Sequence, residues 1–440
     1  MARVMANADV KKELEELDKK HFIHPTSNMG QLQEEGPAFI FTKGEGIYLE
    51  DISGNRWMDT LSSLWNVNVG HGREEIGEVA KEQISTLAFT STFSNWSHEQ
   101  VIRLAEEVAK WTPGDLNVTF FTSGGSEAND TAFKTVRHYW DVQGQPEKKK
   151  IISRKKSYHG VAMGATSATG IPEFHTFTQS IAPDFHYVDT SVQELKDLIA
   201  KEGADSIAAF ISEPVQGSGG VNIPPEGYFK EVKKICEEND ILFIADEVIC
   251  GFGRTGTNFG MENFDVIPDI ITMAKGVTSG YAALGGMVIS EKLHQELYEK
   301  TEGNFWHGYT YSGHPTAAAI ALKNLEIIKE ENLIENVQAR GTQMVAGFEK
   351  LKEKYEAISD VRGMGLLGGI SFDREQDAAP ISPKVVEEAL TRGSICRAVV
   401  YGGQDTLAFA PPFIITAEQM DDMLAIVDAS IEAAFEAQKQ

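Results

Sequence analysis

The sequence predicts an α/β protein with a mostly parallel sheet, and three observations predict it. From about residue 97, helical patterns alternate with short apolar runs, the order that builds parallel sheets through right-handed crossovers. Most of those runs are continuously apolar rather than alternating, as expected of strands covered by helices on both faces. After about residue 330 a smaller region follows with its own strands and a long final helix, so an α+β module accompanies the large one. A chain of 440 residues has room for both.

Taken in order, "MARVMANADVKKELEELDKK" reads as an amphipathic helix, and "GIYLED" and "RWMDT" as a hairpin around Ser53, Gly54 and Asn55. "SHEQVIRLAEEVAKW" opens with a capping box of Ser97 and Gln100 ahead of an apolar stripe. "SVQELKDLIAKEG" repeats the device with Ser191 and Glu194 and stops at a glycine. Strands are expected at "VTFFTS", "KIISRK", "DFHYV", "SIAAFISEP", "ILFIADEV", "DIITMAK" and "GGMVIS". The C-terminal region adds strands around "GMGLLGGISF" and "LAFAPPFIIT", then a helix capped by Thr416 with Gln419.

The net charge of −25 repels phosphate backbones, so nucleic acid is not an expected partner. Cys236, Cys250 and Cys396 are too far apart for a metal knuckle or a disulfide framework, which points to a reducing cytoplasm. The first residues lack an apolar signal core and no run has the length of a membrane span, so no membrane association is expected. The eleven histidines include no HExxH or similar pair, and no metal is expected.

In an open parallel sheet, ligands sit beyond the carboxyl ends of the strands. After "VTFFTS" the chain reads Gly124, Gly125, Ser126 and then a helix, whose free N–H groups and dipole suit a phosphate. A plain strand-to-helix turn with Ser126 as cap is the alternative there. Tyr158, His159 and Gly160 follow the next strand, and an aromatic at that point either stacks on a flat ligand or packs in the core. Asp246 closes the strongest apolar run, where a carboxylate needs a partner such as a protonated ring nitrogen. Val248, two residues on, points the same way by strand alternation. Lys275 ends "PDIITMAKG", where burial would free its amine to attack an aldehyde; a snorkelling lysine is the bland reading. Gly251 to Gly256 fit G-x-G-x-x-G, but no helical stripe follows, so a glycine-rich loop is expected rather than a nucleotide site. A phosphate cradle, a stacking aromatic, an acid for a ring nitrogen and a lysine for an aldehyde together make the four contacts of pyridoxal phosphate.

The segments "SGGSEANDTAFK", "YHG", "SEPVQG", "IADEVICGFGRTG", "AKG" and "HGYTYSGHP" occur in one order along the chain. At these residues it resembles class III pyridoxal-phosphate aminotransferases, the subgroup often called omega-amino acid:pyruvate transaminases, over essentially its whole length. The resemblance implies fold type I, a large three-layer αβα domain with a seven-stranded sheet plus a smaller α+β domain built from both chain ends. The corresponding boundaries are 1–70, 71–329 and 330–440. It implies that Lys275 holds the cofactor as a Schiff base and shuttles a proton, and that Asp246 keeps the pyridine nitrogen protonated. Tyr158 would stack on one ring face and Val248 cover the other. Gly125 and Ser126 would bind the phosphate, His159 would stand at the cofactor, and Thr310 would reach the phosphate from a neighbouring subunit of a homodimer. One departure is Gly124, where relatives commonly carry serine. For substrates, Arg397 matches an arginine that pairs with a carboxylate or sulfonate, Leu64, Trp65 and Phe93 match pocket walls, and Glu213 matches an acid near the site. The implied reaction moves an amino group from an omega-amino acid or taurine-like amine to pyruvate or a similar 2-oxo acid. Adenosylmethionine-dependent amination of 8-amino-7-oxononanoate in biotin formation and a pyridoxal-phosphate aminomutase are the alternatives.

Overall fold

The computed structural model describes residues 2–178, 181–374 and 379–438. A helix, Ala2–His21, opens the chain, and a three-stranded antiparallel unit follows: β1 (Phe41–Glu45), β2 (Tyr48–Asp51) and β3 (Arg56–Asp59). The expected hairpin is β2 with β3. β1 carries no apolar alternation and was not legible in the sequence.

The seven expected runs form one sheet. They are β4 (Leu116–Thr122), β5 (Lys150–Arg154), β6 (Phe185–Val188), β7 (Ile207–Ser212), β8 (Leu242–Asp246), β9 (Ile270–Met273) and β10 (Gly285–Ser290). Their spatial order is β4-β10-β9-β8-β7-β5-β6, and β10 runs antiparallel to both of its neighbours while the other pairings are parallel. Every residue of β7, β8, β9 and β10 is buried, which is why these strands read as unbroken apolar runs. Since β4, β5, β7, β8 and β9 share one direction, their carboxyl ends lie along one edge.

The C-terminal part adds β11 (Ile358–Met364), β12 (Leu367–Phe372), β13 (Ser394–Ile395), β14 (Arg397–Val399) and β15 (Thr406–Phe409). Four of them form an antiparallel sheet in the order β11-β12-β15-β14. β13 instead pairs in parallel with β3, Ser394 opposite Met58 and Ile395 opposite Asp59, so distant parts of the chain share one sheet.

The expected caps fare differently. At Ala417–Gln438 the box closes both ways: Gln419 N–H donates to Thr416 Oγ1 at 3.1 Å, and Thr416 N–H to Gln419 Oε1 at 3.0 Å. At Val192–Glu202 the Ser191 hydroxyl accepts Glu194 N–H, but the Glu194 carboxylate accepts from Asp189 instead of returning to Ser191. The expected Ser97–Gln100 box is a correction. The helix starts at Glu99, and His98 caps it by accepting Val101 N–H on Nδ1 at 3.3 Å. Nε2 of His98 donates to the Gly313 carbonyl at 2.7 Å, so tertiary anchoring of a buried imidazole decides which residue is the cap.

Candidate functional site

Five strand ends supply the site. The helix Gly125–Val142 starts just after β4, and its cap, Gly124, gives the first amides no side-chain acceptor. Those amides and the positive end of the helix dipole remain available to an anion. Gly125 and Asn129, four residues apart, share one helical face. A Cβ on Gly125 would stand 3.1 Å from both methyl groups of Val248, so glycine lets the helix start close over the end of β8. Gly160 is tighter still: its φ is +110°, and a Cβ there would lie 2.2 Å from the Ser126 hydroxyl. The Ser126 oxygen accepts Val161 N–H at 3.1 Å, leaving its own proton free to donate. At Gly124 a Cβ would meet nothing within 4 Å, so glycine there leaves open space and serine would fit.

Asp246 is buried at the end of β8 and is held by three donors. Oδ2 accepts Asn129 Nδ2–H at 2.9 Å and His159 Nδ1–H at 2.7 Å, and Oδ1 accepts Val248 N–H at 3.1 Å. A carboxylate only accepts, so Nδ1 carries the proton of this bond, and Nε2 is buried without a hydrogen-bond partner among the described residues. Asn129 is fixed in turn, donating also to the His159 carbonyl at 2.7 Å and accepting from the Thr272 hydroxyl at 2.7 Å. The ring of His159 thus stands behind Asp246 and orients it. Sequence reasoning missed Asn129, although its spacing from Gly125 carried the signal.

Lys275 opens a short 3₁₀ turn after β9 with φ 44°, a left-handed backbone uncommon for a lysine. Asn324 fixes that turn by donating to the carbonyls of Gly276 and Val277, at 2.9 and 3.0 Å. Burial lowers the Lys275 amine to about 8, although Asp246 and Glu213 favour its charge; Arg397 adds to the lowering. A useful fraction of free amine therefore exists near neutrality.

Glu213 follows β7 and is buried. Its carboxylate accepts Tyr158 N–H at 2.9 Å and Gly217 N–H at 3.1 Å, and its carbonyl accepts from the buried Arg154 at 2.6 Å. Burial raises this carboxyl to about 7, with His159 opposing and Asp246 reinforcing the rise. The Tyr158 backbone is thus pinned, and its half-buried ring packs edge-on against Phe174, centroids 5.2 Å apart. Arg397, at the start of β14, acts electrostatically on both Tyr158 and Lys275. Among the described residues its guanidinium has no hydrogen-bonding or ion-pair partner.

The remaining expected residues are placed differently. Trp65 is buried in an apolar cluster with Leu61, Val215, Ile249, Val399 and Ala408, and Leu64 beside it is 56% exposed. Phe93, 51% exposed, lies against the loop at Gly308, where a Cβ would meet its ring at 3.0 Å. Thr310 is exposed on that same loop. Gly251 to Gly256 open no α-helix; only the 3₁₀ turn Gly260–Phe264 follows. These glycines allow close packing instead: a Cβ on Gly253 would stand 2.9 Å from the Phe413 ring.

The acid at a strand end, the neutralisable amine, the uncapped helix start and the Gly125 and Gly160 clearances together suit a flat aromatic aldehyde carrying a phosphate. A search of known proteins agrees. A family model described as aminotransferase class-III matches residues 30–431. The chain is 37% identical to the putrescine–pyruvate aminotransferase of Pseudomonas aeruginosa over 439 residues, covering 94% of this chain and 95% of that protein. The crystal structure of a transaminase from the marine bacterium Virgibacillus is similar with a TM-score of 0.95 at 50% identity, covering 97% and 100% of the two chains. The omega-transaminase of Pseudomonas jessenii in complex with PMP is similar at 0.92 and 33%, covering 96% and 98%.

Proposed function

Because the chain belongs to the class-III aminotransferases, and so works with pyridoxal phosphate, we propose that it moves an amino group from a terminal amine to pyruvate or a similar 2-oxo acid. The donor class is an omega-amino acid, a taurine-like amine or a related terminal amine, as in the relative named for putrescine and pyruvate. The observation that carries the acceptor is Arg397: a guanidinium without a partner among the described residues, within electrostatic reach of Lys275 and Tyr158. Such a group pairs bidentately with a carboxylate.

Bound pyridoxal phosphate supplies an aldehyde for a primary amine and a ring that takes up electron density from the amine's Cα. Lys275 would hold the aldehyde at rest, and its Nζ would carry the proton between Cα and the cofactor. Asp246, fixed by Asn129 and His159, would keep a proton on the ring nitrogen. The helix start at Gly125 and Ser126 would bind the phosphate, while Tyr158 and Val248 cover the two ring faces. Glu213 would set the height of Tyr158 through the backbone amide it accepts. Leu64 would wall the amine side, backed by the buried Trp65.

We read residues 1–70 and 330–440 as one small domain on a large domain of 71–329, which the β3–β13 pairing supports. The active form would be a homodimer. Phe93, Trp306 and Tyr311 expose 51%, 86% and 58% of their surface around Thr310, an apolar face that a second copy would cover while bringing Thr310 to its phosphate.

The test is alanine formation from pyruvate with β-alanine, taurine, putrescine and S-adenosylmethionine as donors. Terminal amines should serve, and Arg397→Ala should raise KM for pyruvate about 10- to 100-fold, the worth of a charge-assisted hydrogen bond. Activity with S-adenosylmethionine alone, or a pyruvate KM untouched by Arg397→Ala, would overturn the assignment.

A further inference from the structure

The segment between β3 and Asn68 has an unusual backbone. Ser62, Ser63 and Trp65 adopt φ of 48°, 56° and 63°, three left-handed non-glycine residues within four positions. Such a conformation persists only where the surroundings impose it. Two buried charges do so here. Asp59 accepts Ser63 N–H at 2.8 and 2.7 Å on its two oxygens and Leu61 N–H at 3.3 Å, and its Oδ2 pairs with His71 Nε2 at 2.9 Å. Arg254 approaches from the other side, eight residues beyond Asp246 in the glycine-rich loop. It is fully buried, and one terminal nitrogen donates to Ser62 Oγ at 3.1 Å and to Asn68 Oδ1 at 2.6 Å. The other donates to the carbonyls of Leu366 and Pro411, at 3.1 and 2.6 Å, and the guanidinium lies 4.6 Å over the Phe413 ring.

Every hydrogen-bond acceptor around Arg254 is neutral. Asp59 is the carboxylate that favours its charge, and it does so without direct contact. A buried guanidinium so placed is costly to keep as simple packing. Its contacts bracket Leu64 and Trp65: Ser62 lies before them and Asn68 after them. They also join this segment to the loop that leaves β8. We propose that Arg254 is a positioning residue for donor specificity: through Ser62 and Asn68 it sets Leu64, backed by the buried Trp65, relative to the strand end that bears Asp246, and so fixes the width of the amine side. This rests on the reading that Leu64 walls the donor pocket.

The experiment compares wild type, Arg254→Lys and Ser62→Ala as cofactor-loaded enzymes. It reads kcat/KM for an unbranched primary amine and for one branched at the carbon bearing the amino group, and the dissociation constant for pyridoxal phosphate. Lysine keeps the charge but cannot reach both Ser62 and Asn68, so the ratio of the two kcat/KM values should shift at least tenfold, mainly in KM. Ser62→Ala removes one of the Arg254 contacts, along with the bond from the Ser62 hydroxyl to the Ala410 carbonyl, and should shift the ratio in the same direction by less, with cofactor affinity unchanged in both. If Arg254→Lys does not fold, Ser62→Ala alone decides. An unaltered ratio, or an equal fall for both amines, overturns the proposal. Wild type that transaminates neither amine would instead sink the assigned reaction and leave the ratio undefined, so the two failures are distinguishable.

Discussion

Asp246 and Glu247 are adjacent buried carboxylates at one strand end, and they do opposite things. Asp246 faces Asn129 and His159 on the side of Lys275. Glu247 faces away and accepts Gly260 N–H and Met261 N–H, both at 2.8 Å, at the start of the 3₁₀ turn. Burial raises Glu247 to about 8 while the two amides pull it down. The pleat of a strand sends successive side chains to opposite faces, so one position of register separates the group proposed to meet the cofactor from one that holds a loop. Composition and burial cannot tell the two apart; their partners do.

That contrast can be broken in three ways. The largest effect is expected from Asp246→Asn, which keeps the shape but cannot hold a proton on the ring nitrogen. Its kcat/KM should fall about 10²- to 10⁴-fold, with the denaturation midpoint much less affected. A variant retaining most of its turnover would remove Asp246 from the chemistry. Next is the pH dependence of cofactor loading, which tests Lys275 on the same face. Its lowered amine is protonated below about 8, and only the neutral form attacks an aldehyde. The rate at which apoenzyme gains its visible absorption band should therefore fall about tenfold per pH unit below that point and level off above it; a flat profile would contradict the lowered amine. The smallest effect is expected from Glu247→Gln, which strands one of two buried amides and should cost about 1–3 kcal/mol in denaturant unfolding, with activity per loaded site preserved. The sign with pH is fixed. A carboxyl raised in the folded state contributes stability below its unfolded value, and loses it as pH rises through about 8. The deficit of the variant should therefore be widest near pH 5 and narrow towards pH 8; a constant deficit would mean that Glu247 does not titrate in that window.

The sequence showed the large sheet clearly because strands buried on both faces leave long apolar runs, and all seven expected runs pair in it. Lys275, Asp246 and Tyr158 end or follow strands, and reading strand ends located them; Glu213 and Arg397 came only from the family resemblance. Asp59, Arg254 and Asn68 were missed because their roles depend on contacts between distant segments: Arg254 and Ser62 meet across 192 positions. His98 displaced Ser97 as a cap for the same kind of reason, a carbonyl 215 positions away. Local pattern reports periodicity and turn chemistry; it does not report which remote group saturates a buried donor.

The parallel pairing of β3 with β13 has a consequence for biosynthesis. The ribosome must deliver Ser394 before Met58 can acquire its neighbour, whereas the central sheet needs nothing beyond Ser290. At about 5–20 residues per second, the nascent chain spends several seconds with every strand of the central sheet delivered but β3 still without its parallel neighbour. The central sheet can thus assemble before the β1-β2-β3-β13 sheet is complete, and messages truncated ahead of Ser394 would yield polypeptides in which β3 keeps an open edge.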